Sequence, residues 1–303
     1  MKASAQTPLP ALSARETQFL SVPVLHVPLE RRMANRRQTF AICVGAAMLL
    51  VVVVVGGRVL AGDAVAADFS AKGLAPSGQH LFGTDWMGRD MFARTAAGLS
   101  TSVLVGLLAA TVSALIALAL AAIAALGGKR ADAVVTWLVD LFMGIPHIVM
   151  LILISYALGK GFWGVTIALA VTHWPSLTRV LRAEILQCSQ SQFVAHARKL
   201  GASRVRIALS HMVPYVLPQF IVGLVLLFPH AIMHEAAITF LGFGLPPDLP
   251  AVGIILSESM SYLSAGMWWL ALFPGLALVV TVMLFDVVGS GVRRMVDPHS
   301  SQE

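Results

Sequence analysis

The chain has 303 residues, of which 57% are hydrophobic and only 12% are charged. Because a soluble domain carries roughly a quarter charged residues, this composition excludes an ordinary soluble protein and indicates that lipid contacts much of the surface. The net charge of +6 does not indicate a nucleic-acid partner, since the basic residues form short clusters between apolar runs, a pattern typical of membrane topology. The two cysteines, Cys43 and Cys188, suggest neither a disulfide framework nor a metal site.

Apolar runs predict an all-α integral membrane protein with six transmembrane helices, since a spanning helix needs about 20 mostly apolar residues. Residues 1–38 are predicted to be an N-terminal tail, disordered because prolines recur in its first 30 positions. The predicted helices cover residues 39–60, 98–126, 133–158, 161–180, 214–243 and 267–289. The first is an anchor helix, followed by an outer loop at 61–97, a membrane domain at 98–290 that includes an inner loop at 181–213, and a tail at 291–303.

Clusters of arginine and lysine orient the predicted helices. Such clusters mark cytoplasmic loops, and with six crossings all of them fall on the same side of the membrane. Both termini are therefore predicted to be cytoplasmic. The clusters are Arg31, Arg32, Arg36 and Arg37; Lys129 and Arg130; Arg179, Arg182, Arg198, Lys199, Arg204 and Arg206; and Arg293 and Arg294.

The inner loop contains the stretch "SQFVAHARKLGASRVRIALSHMVPYVLP", residues 191–218. It predicts a short helix from Gln192 to Leu200, which Gly201 ends because glycine favours the backbone conformation found after helices. A second basic segment then leads through His211 and Pro214 into the fifth predicted span. A short exposed helix of this kind is suited to dock into a groove on a partner protein.

This loop resembles the EAA loop of ABC importer permeases, in the "ARKLGAS" core, the "HMVP" exit and the spacing from Gly201 to Pro214. The resemblance implies a coupling helix that inserts into a cytoplasmic ATPase subunit. The chain departs from the family at Ala195-His196-Ala197, where Glu-Ala-Ala is usual, so the acidic contact to the ATPase is missing. The residues implied to couple are Phe193, Ala195, His196, Ala197, Arg198, Leu200, Gly201, Ala202 and Ser203.

Two further stretches resemble the peptide, nickel and opine permeases of the same group: "HLFGTDWMGRDMFART" at 80–95 and "FPGLALVVTVMLFDVVGSGVRRMVDPH" at 273–299. In the first, aspartate and glycine supply turn geometry, and an arginine can pair with either carboxylate, so we predict a structural turn at the outer surface rather than a substrate contact. The residues of this turn are Gly83, Thr84, Asp85, Gly88, Arg89 and Asp90.

The resemblance implies a type I ABC importer permease fold in a bacterial inner membrane. It also implies two ATPase subunits, a second permease subunit and an outer solute-binding protein. No phosphate-binding loop of the form G-x-x-x-x-G-K-[ST] occurs in the sequence, so the chain is expected to be no enzyme and to bind no cofactor, with ATP and magnesium used by the partner subunits. The rival from another class is an ion-coupled carrier or channel, which would transport without an ATPase.

Two histidines, His230 and His234, lie one helical turn apart in the fifth predicted span and are followed directly by Glu235. We predict that all three face the translocation pathway, with Glu235 as a third metal ligand, as a group that orients a histidine or as the partner of an arginine in the second permease. Imidazole suits nickel, copper and zinc, and a two-ligand site binds weakly enough for a passing ion to leave. The resemblance to nickel permeases at this stretch favours nickel or a metal chelate as cargo, with short peptides as the alternative. The pair can instead form hydrogen bonds between helices or contact a peptide carboxylate.

Two other histidines lie near the interiors or ends of predicted spans, each close to a proline. His147 follows Pro146, and His173 precedes Trp174 and Pro175. Single buried polar residues in membrane helices often serve packing, so both are predicted to be structural.

Overall fold

The structure is a computed structural model that describes residues 36–296, apart from the side chains of residues 204, 205 and 296. The predicted N-terminal tail up to residue 35 and the C-terminal tail from residue 297 lie outside the described residues. The helices are α1 (Arg36–Val59), α2 (Met91–Leu126), α3 (Lys129–Gly144), α4 (His147–Ala157), α5 (Gly161–Thr172), α6 (Trp174–Ser189), α7 (Gln192–Lys199), α8 (Arg204–Ile207), α9 (Val213–Phe240), α10 (Val252–Met260) and α11 (Trp269–Val296). A π-helical turn, Ala208–Met212, joins α8 to α9.

Helix α2 lies at the centre of the bundle and packs against α1, α5, α6 and α9. Small residues make this possible, because alanine and glycine let helix backbones approach closely in a membrane. A side-chain carbon added at Gly106 would lie 2.5 Å from Ile232 of α9, and one added at Gly57 of α1 would lie 2.1 Å from the Ala96 carbonyl oxygen. The alanines of α2 that are buried at helical spacing are Ala110, Ala114, Ala117, Ala121 and Ala124.

Four described helical segments are long and apolar enough to cross a membrane: Arg36–Val59, Met91–Leu126, Ala208–Phe240 and Trp269–Met295. They match the predicted spans 39–60, 98–126, 214–243 and 267–289. Their lipid-facing surface is apolar, as at Val59 of α1, whose side chain is 76% exposed.

The other two predicted spans are not single helices. The span predicted at 133–158 is α3 followed by α4, which meet at an angle of 94°. Pro146 lies at the break, and proline restricts the residue before it to extended conformations, as at Ile145 with φ −91° and ψ 134°. The span predicted at 161–180 ends early at Thr172 and a second helix continues to Ser189. Among the described residues there are therefore four such spans, or five if the bent pair is one span, rather than six continuous helices.

Both broken pairs nevertheless link the same two ends of the bundle. At one end, the Ser155 hydroxyl donates to the Phe243 carbonyl and the Lys160 ammonium donates to the Gly242 carbonyl, so the α4–α5 connection lies beside the end of α9. At the other end, the Arg182 guanidinium of α6 pairs with the Asp132 carboxylate of α3. The two breaks lie between these ends.

Candidate functional site

The predicted outer turn is held together by one buried carboxylate, Asp85, whose side chain is fully buried. Its Oδ1 accepts hydrogen bonds from the backbone amides of Met87 (2.8 Å) and Arg89 (3.0 Å). Its Oδ2 accepts from Arg89 Nε at 2.6 Å and from Arg94 Nη1 at 2.7 Å. Gly88 has φ 77°, which a glycine tolerates and most residues do not.

The same network ties the turn to three helices. Asp90 caps the start of α2 by accepting from the Ala93 amide at 3.0 Å. Arg94 Nη2 donates to Glu258 of α10 at 2.9 Å. The indole of Trp269 at the start of α11 donates to the Thr84 carbonyl at 3.2 Å. The residues predicted to form a self-paired turn therefore do so in the structure, and they also hold α2, α10 and α11 together.

Beside this turn, Asp68 caps the short 3₁₀ helix Phe69–Ala71. Hydrogen bonds from the Ser70 hydroxyl and amide lower the pKa of the Asp68 carboxyl below its ordinary value. The Asp68 carbonyl packs so closely against Gly88 that a side-chain carbon there would lie 1.7 Å from the oxygen. The outer loop is thus tightly packed and internally paired.

A second polar region lies between the two ends of the bundle, around a cavity of about 660 Å³. The breaks described above create it, because α3 and α4 separate at Pro146 and α5 and α6 separate at His173. Its walls come from α3, α4, α5, α6 and α9. The lining residues are Phe142, Met143, Gly144, Ile145, Pro146, His147, Thr172, His173, Pro175, Ser176, Leu227, His230 and His234.

Three histidines from separate parts of the chain meet at this cavity: His147 at the start of α4, His173 between α5 and α6, and His234 in α9. The ring centroids are 4.6 Å apart for His147 and His173, 4.7 Å for His147 and His234, and 5.1 Å for His173 and His234. One nitrogen from each ring lies within 4.8 Å of the other two. We call these residues the histidine cluster.

Backbone carbonyls orient two rings of the histidine cluster. His173 Nδ1 lies 2.9 Å from the Leu169 carbonyl oxygen, and His234 Nδ1 lies 2.7 Å from the His230 carbonyl oxygen. A carbonyl only accepts, so Nδ1 donates in both rings, and in a neutral ring Nε2 then keeps its lone pair. Within the described part of the chain, Nε2 of His173 and Nε2 of His147 are buried without a hydrogen-bond partner.

The residues proposed from sequence as a metal or pathway set are only partly brought together. His230 and His234 both line the cavity, but the His230 ring is not part of the histidine cluster. Glu235 does not line the cavity. It is fully buried and its Oε1 accepts from the Thr239 hydroxyl at 2.8 Å within α9. The structure therefore does not bring Glu235 to either histidine as a third ligand.

The inner loop folds as a short helix with one buried side. Helix α7 spans Gln192–Lys199 and ends before Gly201, which has φ 83°. Val194 is buried and Ala197 is partly buried against the core of the bundle. Leu200 is 88% exposed. The remaining residues of the predicted coupling set, Phe193, Ala195, His196, Arg198, Gly201 and Ser203, are exposed, and Ala202 is partly buried.

Comparison with known proteins identifies the family. Residues 117–302 match the family described as the binding-protein-dependent transport system inner membrane component. The chain belongs to this family. It is therefore a multi-pass permease component of an ABC importer in the inner membrane, and the family name implies binding-protein and ATPase components that work with it.

Similar proteins are named as permeases for peptides. The permease is 35% identical over 280 residues to a protein of Brucella suis biovar 1 named as a peptide transport system permease, covering 91% of this chain and 93% of that one. A second protein of that organism, named as a peptide permease, is 36% identical over 234 residues, which cover 77% and 78% of the two chains. A dipeptide transport system permease protein of Bacillus subtilis is 30% identical over 250 residues, covering 82% and 78%.

Sequence reasoning treated His147 and His173 of the permease as packing residues, and it missed that both meet His234 at one cavity. One signal was available. Each lies one or two residues from a proline inside a predicted span, and broken or kinked membrane helices are tolerated where they are buried in protein or line a cavity. Glu258, the partner of Arg94 across 164 positions, gave no signal in the sequence.

Proposed function

We propose that this permease carries short peptides across the inner membrane as one subunit of an ATP-driven importer. The observation that carries the proposal is the similarity to proteins named for peptide transport along 91% of the chain. The cavity agrees with it, since about 660 Å³ falls within the range of small-molecule sites, roughly 300 to 1,000 Å³. Its mixed lining of apolar side chains and imidazoles suits a small solute with both apolar and polar parts.

Nickel or a metal chelate is the second candidate cargo. The histidine cluster favours it, because imidazole is a good ligand for nickel. The names of the similar proteins favour peptides, so we rank peptides first.

The proposed assembly contains two ATPase subunits, a second permease subunit and an outer solute-binding protein. ATP and magnesium bind the ATPase subunits. We propose six crossings, with α3–α4 and α5–α6 as the broken third and fourth, because each pair links the same two ends of the bundle. This places both termini and α7 on the cytoplasmic side, in agreement with the basic clusters.

Helix α7 is the proposed contact with an ATPase subunit, through the set from Phe193 to Ser203. Exposure of Leu200 supports this role, since a fully exposed leucine next to basic residues gains most by docking into an apolar groove. We predict that Leu200→Asp lowers ATP-driven uptake by about tenfold, which corresponds to about 1.4 kcal/mol of docking, and leaves the thermal unfolding midpoint of the permease unchanged. The control is Gln192→Ala, at an exposed residue at the start of α7.

The cargo is tested by uptake of a labelled dipeptide and of labelled nickel into cells that carry the complete transporter. The proposal predicts dipeptide uptake that stops when the ATPase subunits are made catalytically inactive. Uptake of nickel without uptake of the dipeptide would instead assign nickel, the second candidate, as the cargo. Dipeptide uptake that continues with inactive ATPase subunits would contradict the importer assembly and favour an ion-coupled carrier.

A further inference from the structure

We propose that His147, His173 and His234 together bind one divalent first-row transition metal ion at the edge of the cavity. The site differs from the pair His230 and His234 that the helical spacing suggested. Two of its three ligands come from helix breaks far apart in the sequence, and the third comes from α9.

The rings are prepared for a metal by their hydrogen bonds. Histidine ligands usually donate the second ring N–H to a backbone carbonyl or a carboxylate, which fixes the ring orientation and leaves the other nitrogen free to bind. His173 and His234 have this arrangement, with the carbonyl oxygens of Leu169 and His230 as the acceptors. His147 and His173 each keep a buried Nε2 without a partner. A bound ion would satisfy nitrogens that are otherwise costly to bury.

Simple packing accounts less well for the cluster. Histidines that join helices do so by hydrogen bonds, yet the rings meet edge to face, with interplanar angles of 78° to 83°. Among the described residues, the structure has no hydrogen bond from one of these rings to another.

The ligand set selects the class of ion. Three imidazoles with no carboxylate suit zinc, nickel or copper, whereas magnesium and calcium prefer oxygen. Metal–nitrogen bonds of about 2.1 Å place tetrahedral ligands roughly 3.4 Å apart. The nitrogens lie within 4.8 Å of one another, so binding of the ion requires the rings to approach by up to about 1.4 Å.

The ion would keep an open coordination position facing the cavity. Three protein ligands and one open position are the arrangement of metal sites that bind a further ligand. A peptide with a free amino terminus supplies nitrogen and oxygen donors for that position. This last step rests on the proposed function, whereas binding of the ion does not.

The test measures binding of Ni²⁺ to the complete transporter, purified in detergent with a tag that contains no histidine. Single variants His147→Gln, His173→Gln and His234→Gln are compared with His230→Gln, which lines the same cavity outside the cluster. We expect one histidine-dependent ion per permease chain, and binding that is weaker by at least about 10- to 100-fold in each cluster variant. His230→Gln should bind within about threefold of the original chain, because its ring is not a ligand in the cluster. Co²⁺ absorption, a second readout, should report three nitrogen ligands and lose its spectrum in His147→Gln.

Two results would overturn the proposal. One is Ni²⁺ binding that is absent, or equal in the original chain and in all three cluster variants. The other is loss of binding in His230→Gln and His234→Gln with full binding in His147→Gln and His173→Gln, which would assign the ion to the helical pair. Variants are compared only after size-exclusion chromatography confirms that the transporter is assembled. His173 is more buried than His147, so if His173→Gln misfolds, the result for His147→Gln still tests the site. Ion binding without dipeptide uptake would refute the proposed function alone, and dipeptide uptake without ion binding would refute this site alone.

Discussion

The outer turn and the histidine cavity both concentrate polar side chains in an apolar protein, but they differ in how those side chains are hydrogen-bonded. In the turn, all four bonds to Asp85 come from groups of the same chain. In the cavity, the Nε2 atoms of His147 and His173 are buried and have no partner. Buried polar groups are normally paired. In the turn, Arg89 Nη2 is also buried without a hydrogen bond among the described residues, but it lies 3.6 Å from the Glu258 carboxylate as an ion pair. Neither cavity nitrogen has an ion-pair partner among the described residues, so the turn is better accounted for by folding alone than the cavity is.

This difference distinguishes a region that stabilises the fold from a region that can bind a ligand. A network whose members satisfy each other holds helices in place, and it has little capacity left for a ligand. The unpaired nitrogens at the cavity can still accept one. The comparison predicts that changes in the turn alter stability strongly, whereas changes in the histidine cluster alter ligand binding and barely alter stability.

The largest effect is expected from Asp85→Ala. Its removal leaves Arg94, which is 3% exposed, without one of its two carboxylate partners. Breaking a buried ion pair from one side costs about 3 to 5 kcal/mol. Thermal unfolding of the purified permease should show a clearly lowered midpoint. Asp63→Ala, an exposed carboxylate of the same loop, is the matched control, and equal midpoints for the two variants would contradict the role of the turn.

A smaller loss is expected from Gly88→Ala. The backbone there has φ 77° and the new side-chain carbon would lie 1.7 Å from the Asp68 carbonyl oxygen. Strain of this kind costs about 1 to 3 kcal/mol. Gly62→Ala provides the comparison, because nothing lies within 4 Å of a side-chain carbon at that position. The same unfolding measurement applies, and a Gly88→Ala protein as stable as Gly62→Ala would show that the loop is not tightly packed.

The smallest change in stability is expected from His147→Leu. Replacing a buried group that has no hydrogen-bond partner by an apolar one is close to neutral or stabilising, within about 1 kcal/mol. The histidine of the outer loop, His80, behaves differently because its Nδ1 lies 2.8 Å from the Asp90 carboxylate. His80→Leu should therefore destabilise the permease more than His147→Leu does. The reverse order would mean that His147 has a structural partner.

Much of the fold follows from the sequence, because long apolar runs directly predict α1, α2, α9 and α11. The turn around Asp85 and the end of α7 before Gly201 also follow, since aspartate and glycine determine local backbone geometry. Turn geometry and lipid exposure both depend on residues that are close in sequence, so a single stretch of chain predicts them.

The breaks and the cluster could not be predicted in the same way. The two helices beside Pro146 are together long and apolar enough to read as one span, so a window of residues cannot distinguish a straight span from two helices at 94°. Proline alone does not decide either, because α9 continues through Pro218 and Pro229. The histidine cluster depends on how segments distant in sequence pack together. The spacing of His230 and His234 within one helix instead indicated His230, which is not part of the cluster.

We infer that the cavity, and not the outer turn, receives the transported solute. The most direct test labels a single cysteine at Ser176, an exposed residue of the cavity wall, after Cys43 and Cys188 are replaced by alanine. A membrane-impermeant thiol reagent is applied to the complete transporter in membrane vesicles, with and without ATP and a dipeptide. We predict that labelling of Ser176→Cys changes with ATP and falls when the dipeptide is present, whereas labelling of Asp63→Cys in the outer loop does not fall. Labelling at Ser176→Cys that is insensitive to both ATP and dipeptide would contradict the claim.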